Sequence, residues 1–273
     1  MVLVSYVDGS VSFDCGTKKR CHSRAPRAYS LNRRELAVKS QIGCQRQRFS
    51  IRYIAHMRPS VDTYRHKGLR KKLTEVVRSK GITDEAVLKA IEDTPRHFFL
   101  DSAFDEAAYE DRAFPIGEEQ TISQPYTVAY QTQLLAVKPF EKVLEIGTGS
   151  AYQAVILAKM GAKVFTIERQ KKLFEANKKF ELLRQFPSMK FFYGDGFEGL
   201  PTFAPFDKIL VTAAAPSIPE KLVSQLKAGG SMVLPVGVGQ VQRMTRLTKM
   251  PDGSLLEEVF DQFSFVPMLT GKK

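Results

Sequence analysis
Glu145, Gly147 and Gly149 occupy alternate positions in the stretch EIGTGSAYQ, and Glu168 follows Gly149 by 19 residues. Two glycines so close let a backbone turn tightly and approach a ligand. An acid at that distance, closing the next apolar run, sits where a carboxylate accepts hydrogen bonds from ribose hydroxyls. The dinucleotide fingerprint asks for a third glycine, but Tyr152 stands in its place, which counts against NAD or FAD. No G-x-x-x-x-G-K-[ST] occurs, so a P-loop is excluded. Glu145 lies beside the turn, where it could face a cationic group. The next apolar run ends on Gly194-Asp195-Gly196. A ligand with a ribose, a positive centre and no phosphate is S-adenosyl-L-methionine. The blander alternative is a tight turn between solvated strand-end acids. The spaced acid and the Gly-Asp-Gly tip the balance towards a ligand.

The elements that must position these residues alternate. Strands are predicted at Val143–Ile146, Lys163–Glu168, Lys190–Gly194, Lys208–Thr212 and Ser231–Pro235. Helices are predicted between them at Ala151–Lys159, Lys171–Gln185 and Pro219–Leu226, the last opened by a Ser217/Glu220 capping box. Strands separated by helices predict an α/β fold with a doubly wound, mainly parallel sheet. The loop Ala213–Pro216 follows a strand, and open α/β sheets bind ligands at strand carboxyl ends, so it is expected to line the site. RMTRLTKM, PDGS and LLEEVFDQFSFVPML then read as a C-terminal antiparallel hairpin turning at Asp252-Gly253. Upstream, YRHKGLRKKLTEVVRSKG reads as a helix burying Leu69, Leu73, Val76 and Val77. DEAVLKAIEDTPRHFF reads as a second helix, favoured at its start by Asp84 and Glu85 and stopped by Pro95. FPIGEEQTISQP (114–125) is expected to be a loop, and a helix to begin with Pro125 in its first turn.

The net charge of +12 suggests a nucleic-acid partner until it is located. Residues 1–56 hold 11 Lys/Arg against 3 Asp/Glu, a balance of +8, which leaves +4 for the other 217 residues. The excess belongs to a leader, so no nucleic acid is expected as partner. The leader is read as a disordered extension, or as sequence upstream of a start at Met57, with an organellar transit peptide as the sharper alternative. Residues 57–273 form the predicted catalytic domain. Cys15, Cys21 and Cys44 all lie in the leader, near His22 and His56 but without the spacing of a zinc site, and no metal is expected. A cysteine-free body suits a reducing compartment, and no run of 18 apolar residues suggests a membrane span. His66 and His97, the body's two histidines, are read as surface or helix residues, and no G-x-S-x-G elbow supports a hydrolase.

EIGTGSAYQ, GDG, VTAAAP, GGSMVLPVG and above all TISQP (121–125), all in that family's order along the chain, resemble the protein-L-isoaspartate O-methyltransferases. DTPRHFF and AYEDRAFPIG resemble the same family, and the match runs from about residue 65 to 270. Ala151 departs from it, since the family usually has a glycine there, and its methyl is expected to touch the methionine end of the cofactor with modest effect. The resemblance implies methyl transfer from S-adenosyl-L-methionine to the free α-carboxylate of L-isoaspartyl residues in damaged proteins. The ester then cyclises unaided to a succinimide that can reopen as aspartyl. Such an acceptor, with a pKa of about 3.3–3.7, is already ionised at neutral pH and needs no general base. The resemblance gives Ser123 the catalytic place, where its hydroxyl donates one hydrogen bond to the carboxylate. The local alternative is that Thr121 and Ser123 only bond backbone before Pro125. Ile122 is expected to close over the cofactor, Glu168 to hold the ribose, Asp195 and Gly196 to meet the adenine, and Glu145 to orient the methionyl ammonium directly or through water. A cytoplasmic monomer acting on damaged proteins is the sum. The runner-up readings are a methyltransferase on another acceptor such as RNA, supported by RHKGLRKK, a cofactor-binding module without activity, and, more distantly, an NAD oxidoreductase.

Overall fold
The computed structural model describes residues 61–273, with the backbone of two three-residue strands, β1 (Ser5–Val7) and β2 (Ser10–Ser12), which pair antiparallel. Apart from those strands, the expectations for the leader, for its three cysteines, for His22 and His56, and for a start at Met57 lie outside the described residues.

Helix α1 (Tyr64–Ser79) is capped by Thr63, and α2 (Glu85–Glu92) by Asp84, whose carboxylate accepts from the N–H groups of Ala86 and Val87. The buried stripe of α1 runs through His66, Arg70, Leu73 and Val77, which leaves Val76 exposed rather than buried as expected. The helical face is rotated towards two polar residues that the apolar pattern could not include. Residues 114–122 are not a loop. They form a hairpin of β3 (Phe114–Gly117) and β4 (Gln120–Ile122), in which Gly117 pairs with Gln120 across a two-residue turn. Helix α3 (Pro125–Leu135) follows at once, with Pro125 in its first turn as the sequence predicts.

The alternation then runs β5 (Lys142–Ile146), α4 (Tyr152–Lys159), β6 (Lys163–Glu168), α5 (Lys171–Lys178), β7 (Met189–Tyr193), β8 (Phe206–Val211), α6 (Glu220–Ser224), β9 (Leu226–Val236), β10 (Gln242–Lys249) and β11 (Leu255–Phe263). One seven-stranded sheet has the order β11-β10-β9-β8-β5-β6-β7. Its pairings from β9 to β7 are parallel, and β10 and β11 add antiparallel. The strand order reverses between β5 and β8, which opens a crevice at their carboxyl ends. Alternate strand residues face opposite sides. Val143, Val164, Leu210 and Val233 join the core under α1 to α4, while Leu144, Ile167, Ile209 and Met232 join a second core on the other face.

Two predicted helices are shorter than expected. The Ser217/Glu220 capping box does not form, because Ile218 precedes a proline and is barred from the helical conformation a first-turn residue needs. The helix starts at Glu220 with Pro219 at the cap, and β9 begins before the predicted Ser231. The predicted Lys171–Gln185 helix breaks after Lys178 and resumes as a short 3-10 turn, Glu181–Gln185. At the break the ring of Phe180 packs edge-on against Phe99, 5.5 Å between centres. Among the described residues no helix is long and apolar enough to cross a membrane.

Candidate active site
The turn after β5 is pinned to its neighbours. The N–H groups of Gly147 and Thr148 both donate to the carbonyl of Ile167, and the Thr212 hydroxyl, within 2.8 Å of the Gly147 carbonyl, donates there from the end of β8. Gly147 has φ +96°, and a Cβ there would fall 2.5 Å from Thr212 Oγ1, so the position requires glycine twice over. Glu168 braces the same turn from β6. One of its oxygens accepts from the Gly149 N–H (2.8 Å) and the other from the Gln170 N–H (2.7 Å). Burial pushes its carboxyl up, against the pull of these N–H groups. Each oxygen keeps lone-pair capacity for a further donor, as a ribose diol requires.

On the facing side, Ile122 ends β4 and is buried, and half-buried Ser123 follows it. Gly196 closes the far end. A Cβ on it would meet Ile146 Cγ2 at 2.5 Å, so the chain passes over β5 with no room to spare. Ile122, Ser123, Gly147, Gly149, Glu168 and Gly196 all line one open cleft of about 830 Å³, part of it open solvent.

Glu145 and Asp195 do not line this cleft. Glu145 is wholly buried, on the same strand face as Thr166 and Glu168, and neither of its oxygens has a hydrogen-bond partner among the described residues. The Thr166 hydroxyl shares its bond with Thr148 (2.6 Å). Burial pushes the Glu145 carboxyl up to about 8, and the nearby Glu168 adds to the rise. The half-buried Asp195 carboxylate accepts from the N–H groups of Phe197 (2.9 Å) and Gly271 (2.6 Å). That second bond belongs to a tail in which Arg169 donates to the carbonyls of Thr270 and Gly271. Of the predicted Ala213–Pro216 loop, only Ala213 lines the cleft, beside Thr212. The sequence missed Val266–Leu269 as a wall. This segment is drawn in by reciprocal backbone bonds with Ala214, of which side-chain periodicity carries no trace. Ala151 is buried with φ +70° and is not among the residues that line the cleft, and a side chain at that backbone angle strains the turn.

Of the two readings for His66 and His97 the helical one holds, His66 in α1 and His97 in the 3-10 turn Arg96–Phe99, and the surface one does not. Both are buried, with ring centres 3.9 Å apart. His66 Nε2 donates to Asp105 (3.1 Å) and its Nδ1 accepts from the Thr63 N–H (3.2 Å). His97 Nε2 donates to the Val61 carbonyl (3.3 Å), while its Nδ1 accepts from the Tyr109 hydroxyl. Arg70 grips both oxygens of Asp62 (2.7 and 2.8 Å). Ligand-type atoms of Asp62, His66 and His97 lie within 4.8 Å of one another, but these bonds already engage them. The cluster ties the amino end of α1 to the turns after α2, away from the cleft-lining residues.

Comparison with known proteins agrees with this geometry. The family model described as protein-L-isoaspartate(D-aspartate) O-methyltransferase matches residues 68–273. A protein-L-isoaspartate O-methyltransferase of Cytophaga hutchinsonii is 56% identical over 208 residues, 76% of this chain and 94% of that protein. One of Christiangramia forsetii is 51% identical over 211 residues, 77% of this chain and 99% of that protein. A solved protein-L-isoaspartate O-methyltransferase superposes with a TM-score of 0.66 at 29% identity, over 72% of this chain and 65% of that one. A putative one from Plasmodium falciparum, solved with S-adenosyl-L-homocysteine, gives 0.64 at 25% identity, over 73% of this chain and 98% of that one. The glycine turn braced by Glu168, the Thr-Ile-Ser-Gln-Pro segment across the cleft and these likenesses lead to one statement: the chain belongs to the protein-L-isoaspartate(D-aspartate) O-methyltransferase family.

Proposed function
We propose that Ser123 is the residue that meets the acceptor, and that Ile122, Gly147, Gly149, Glu168 and Gly196 hold the cofactor, with Glu145 and Asp195 acting from behind them. The chain is an S-adenosyl-L-methionine-dependent enzyme that methylates the α-carboxylate of L-isoaspartyl residues, a protein-repair reaction. The cofactor, when bound, supplies a methyl group activated on a sulfonium. The residues present suit it: a turn in which a Cβ has no room at Gly147, a strand-end carboxylate with lone pairs to spare at Glu168, and a buried carboxyl at Glu145 without a hydrogen-bond partner. The chain's own task is placement. Ser123 donates one hydrogen bond to the acceptor without removing its charge, so orientation supplies the rate. The observation that carries this reading is the convergence of Ser123 and Glu168, from distant segments of the chain, on one cleft.

We further infer that residues 57–273 form the methyltransferase domain, that it works as a monomer in the cytoplasm, and that nucleic acid is no partner. The modest charge of +4 outside the leader supports the last point.

Two variants test the assignment in opposite directions. Ser123→Ala should lower kcat/KM for an L-isoaspartyl peptide about ten- to a hundredfold, while the calorimetric Kd of S-adenosylhomocysteine moves less than about twofold. Glu168→Ala should weaken that Kd about ten- to a hundredfold. A Ser123→Ala enzyme that loses cofactor affinity yet turns over normally once loaded would refute the division of roles.

A further inference from the structure
Among the described residues Arg96 is the largest side chain wholly withdrawn from solvent, and it stands in DTPRHFF, a motif to which no role in the reaction has yet been given. It opens the short 3-10 turn Arg96–Phe99 after Pro95. Its Nη2 donates to the carbonyl of Ser123 at 2.7 Å and, at 3.5 Å, to that of Arg112. Its guanidinium carbon lies 4.8 Å from the ring centre of Tyr152, the first residue of α4 and a wall of the cleft. Nε and Nη1 have no hydrogen-bond partner among the described residues, and no carboxylate there pairs with it.

Packing does not account for such a group. A buried cation without a directly paired carboxylate loses hydration that its contacts do not return, and an apolar side chain of similar volume is often neutral or stabilising in its place. What Arg96 does is join the two halves of the site. It holds the main chain of the acceptor-binding serine on one side and the cofactor-side helix on the other. Asp111, whose charge acts on Arg96, receives the Tyr126 N–H (2.8 Å) and Gln124 Nε2 (3.0 Å), so the turn that presents Ser123 is held by a cation and an anion. Burial lowers the Arg96 pKa, but an arginine starts so far above neutrality that the guanidinium keeps its charge at working pH. It stands directly behind the serine at which an anionic acceptor must be desolvated, and a fixed charge in such a low-dielectric position acts strongly and needs no reorganisation.

We propose that Arg96 is the positioning residue of the acceptor side: it fixes Ser123 through its carbonyl and supplies the buried positive charge against which the isoaspartyl carboxylate settles. The proposal rests on the assignment of Ser123 made above.

The test is a double-mutant cycle in the full chain, with Arg96→Met and Arg96→Lys each made alone and with Ser123→Ala. Three quantities are read: kcat and KM for an L-isoaspartyl peptide, the Kd of S-adenosylhomocysteine, and the thermal midpoint. Arg96→Met should keep its midpoint and its Kd within about twofold while kcat/KM falls about ten- to a hundredfold. Arg96→Lys should recover KM, because charge remains, but not kcat, because the reach to the Ser123 carbonyl is lost. The kcat loss should not add to that of Ser123→Ala. Additive losses, or a Kd that weakens in step with kcat/KM, overturn the proposal. Full turnover in Ser123→Ala sinks the serine assignment and this proposal together. A crippled Ser123→Ala beside a normal Arg96→Met sinks this proposal alone. Should Arg96→Met fail to fold, Arg96→Lys carries the test, and an unchanged kcat in it is equally fatal.

Discussion
At Ala151 a residue with a side chain adopts the left-handed backbone, φ 70° and ψ 11°, at the cap of α4. Such a conformation costs roughly 1–2 kcal/mol for a residue with a Cβ and nothing for glycine. Ala151→Gly should therefore raise stability by about 1 kcal/mol, a thermal shift of about 2–4 °C, with cofactor affinity unchanged. A lowered midpoint by calorimetry would count against strain at this site. The position of the strain was legible only through the family resemblance, which marks Ala151 as a departure, and its cause was not, because a backbone angle leaves no mark on residue identity. Gly147, Gly149 and Glu168 were legible because their constraints are local, a turn and a fixed distance along one βα unit. Glu145 and Arg96 were not. A charged residue reads as solvated until the elements that bury it are assembled, and those come from distant segments.

The β3-β4 hairpin shows where element reading fails. Its two turn residues, Glu118 and Glu119, both have positive φ, 50° and 59°, the geometry of a type I′ turn. Asn-Gly normally announces that turn, and Glu-Glu announces nothing. Tertiary context imposes it: β3 delivers buried Phe114, and Glu118 pairs with Lys172 of α5 at 2.8 Å. Glu119→Gly should relieve one left-handed residue, stabilise the protein by about 1 kcal/mol and leave the Glu118 pair intact. Thermal unfolding that shows no gain would place the strain elsewhere. The parallel strands were easier to find, because being covered on both faces makes them continuous apolar runs. Helix ends were hard wherever proline or a core ring intervened, as at Ile218-Pro219 and Phe180.

For the whole molecule the buried ionisable groups set how stability follows pH. Burial holds the His97 imidazole below its usual value near 6.5. Below that pH the unfolded chain binds a proton that the fold refuses, so stability falls as the medium turns acidic. Glu145 acts in another window. Its folded carboxyl is raised to about 8 from an ordinary 4.5, so the fold carries an extra proton between these values and stability declines as pH rises towards 8. The two slopes oppose one another below 6.5, and only that of Glu145 remains above it. Urea midpoints of the cofactor-free enzyme should thus fall between about pH 6.5 and 8, and Glu145→Gln should flatten the fall. An unchanged slope in that variant would assign the titration to another group. A last consequence follows from the two N–H groups that grip Asp195. The damage this enzyme reverses begins when the backbone nitrogen after an aspartate attacks its side-chain carbonyl, and a following glycine obstructs that least. Among the described residues the chain has such pairs at Asp195-Gly196 and Asp252-Gly253. The first is held still in the fold, while the second sits in an exposed turn. In a warmed, aged sample, peptide mapping should find isoaspartate at Asp252 well before Asp195, and equal rates would contradict this. The repair enzyme wears its own kind of lesion on an expendable corner and keeps it out of its cofactor cleft.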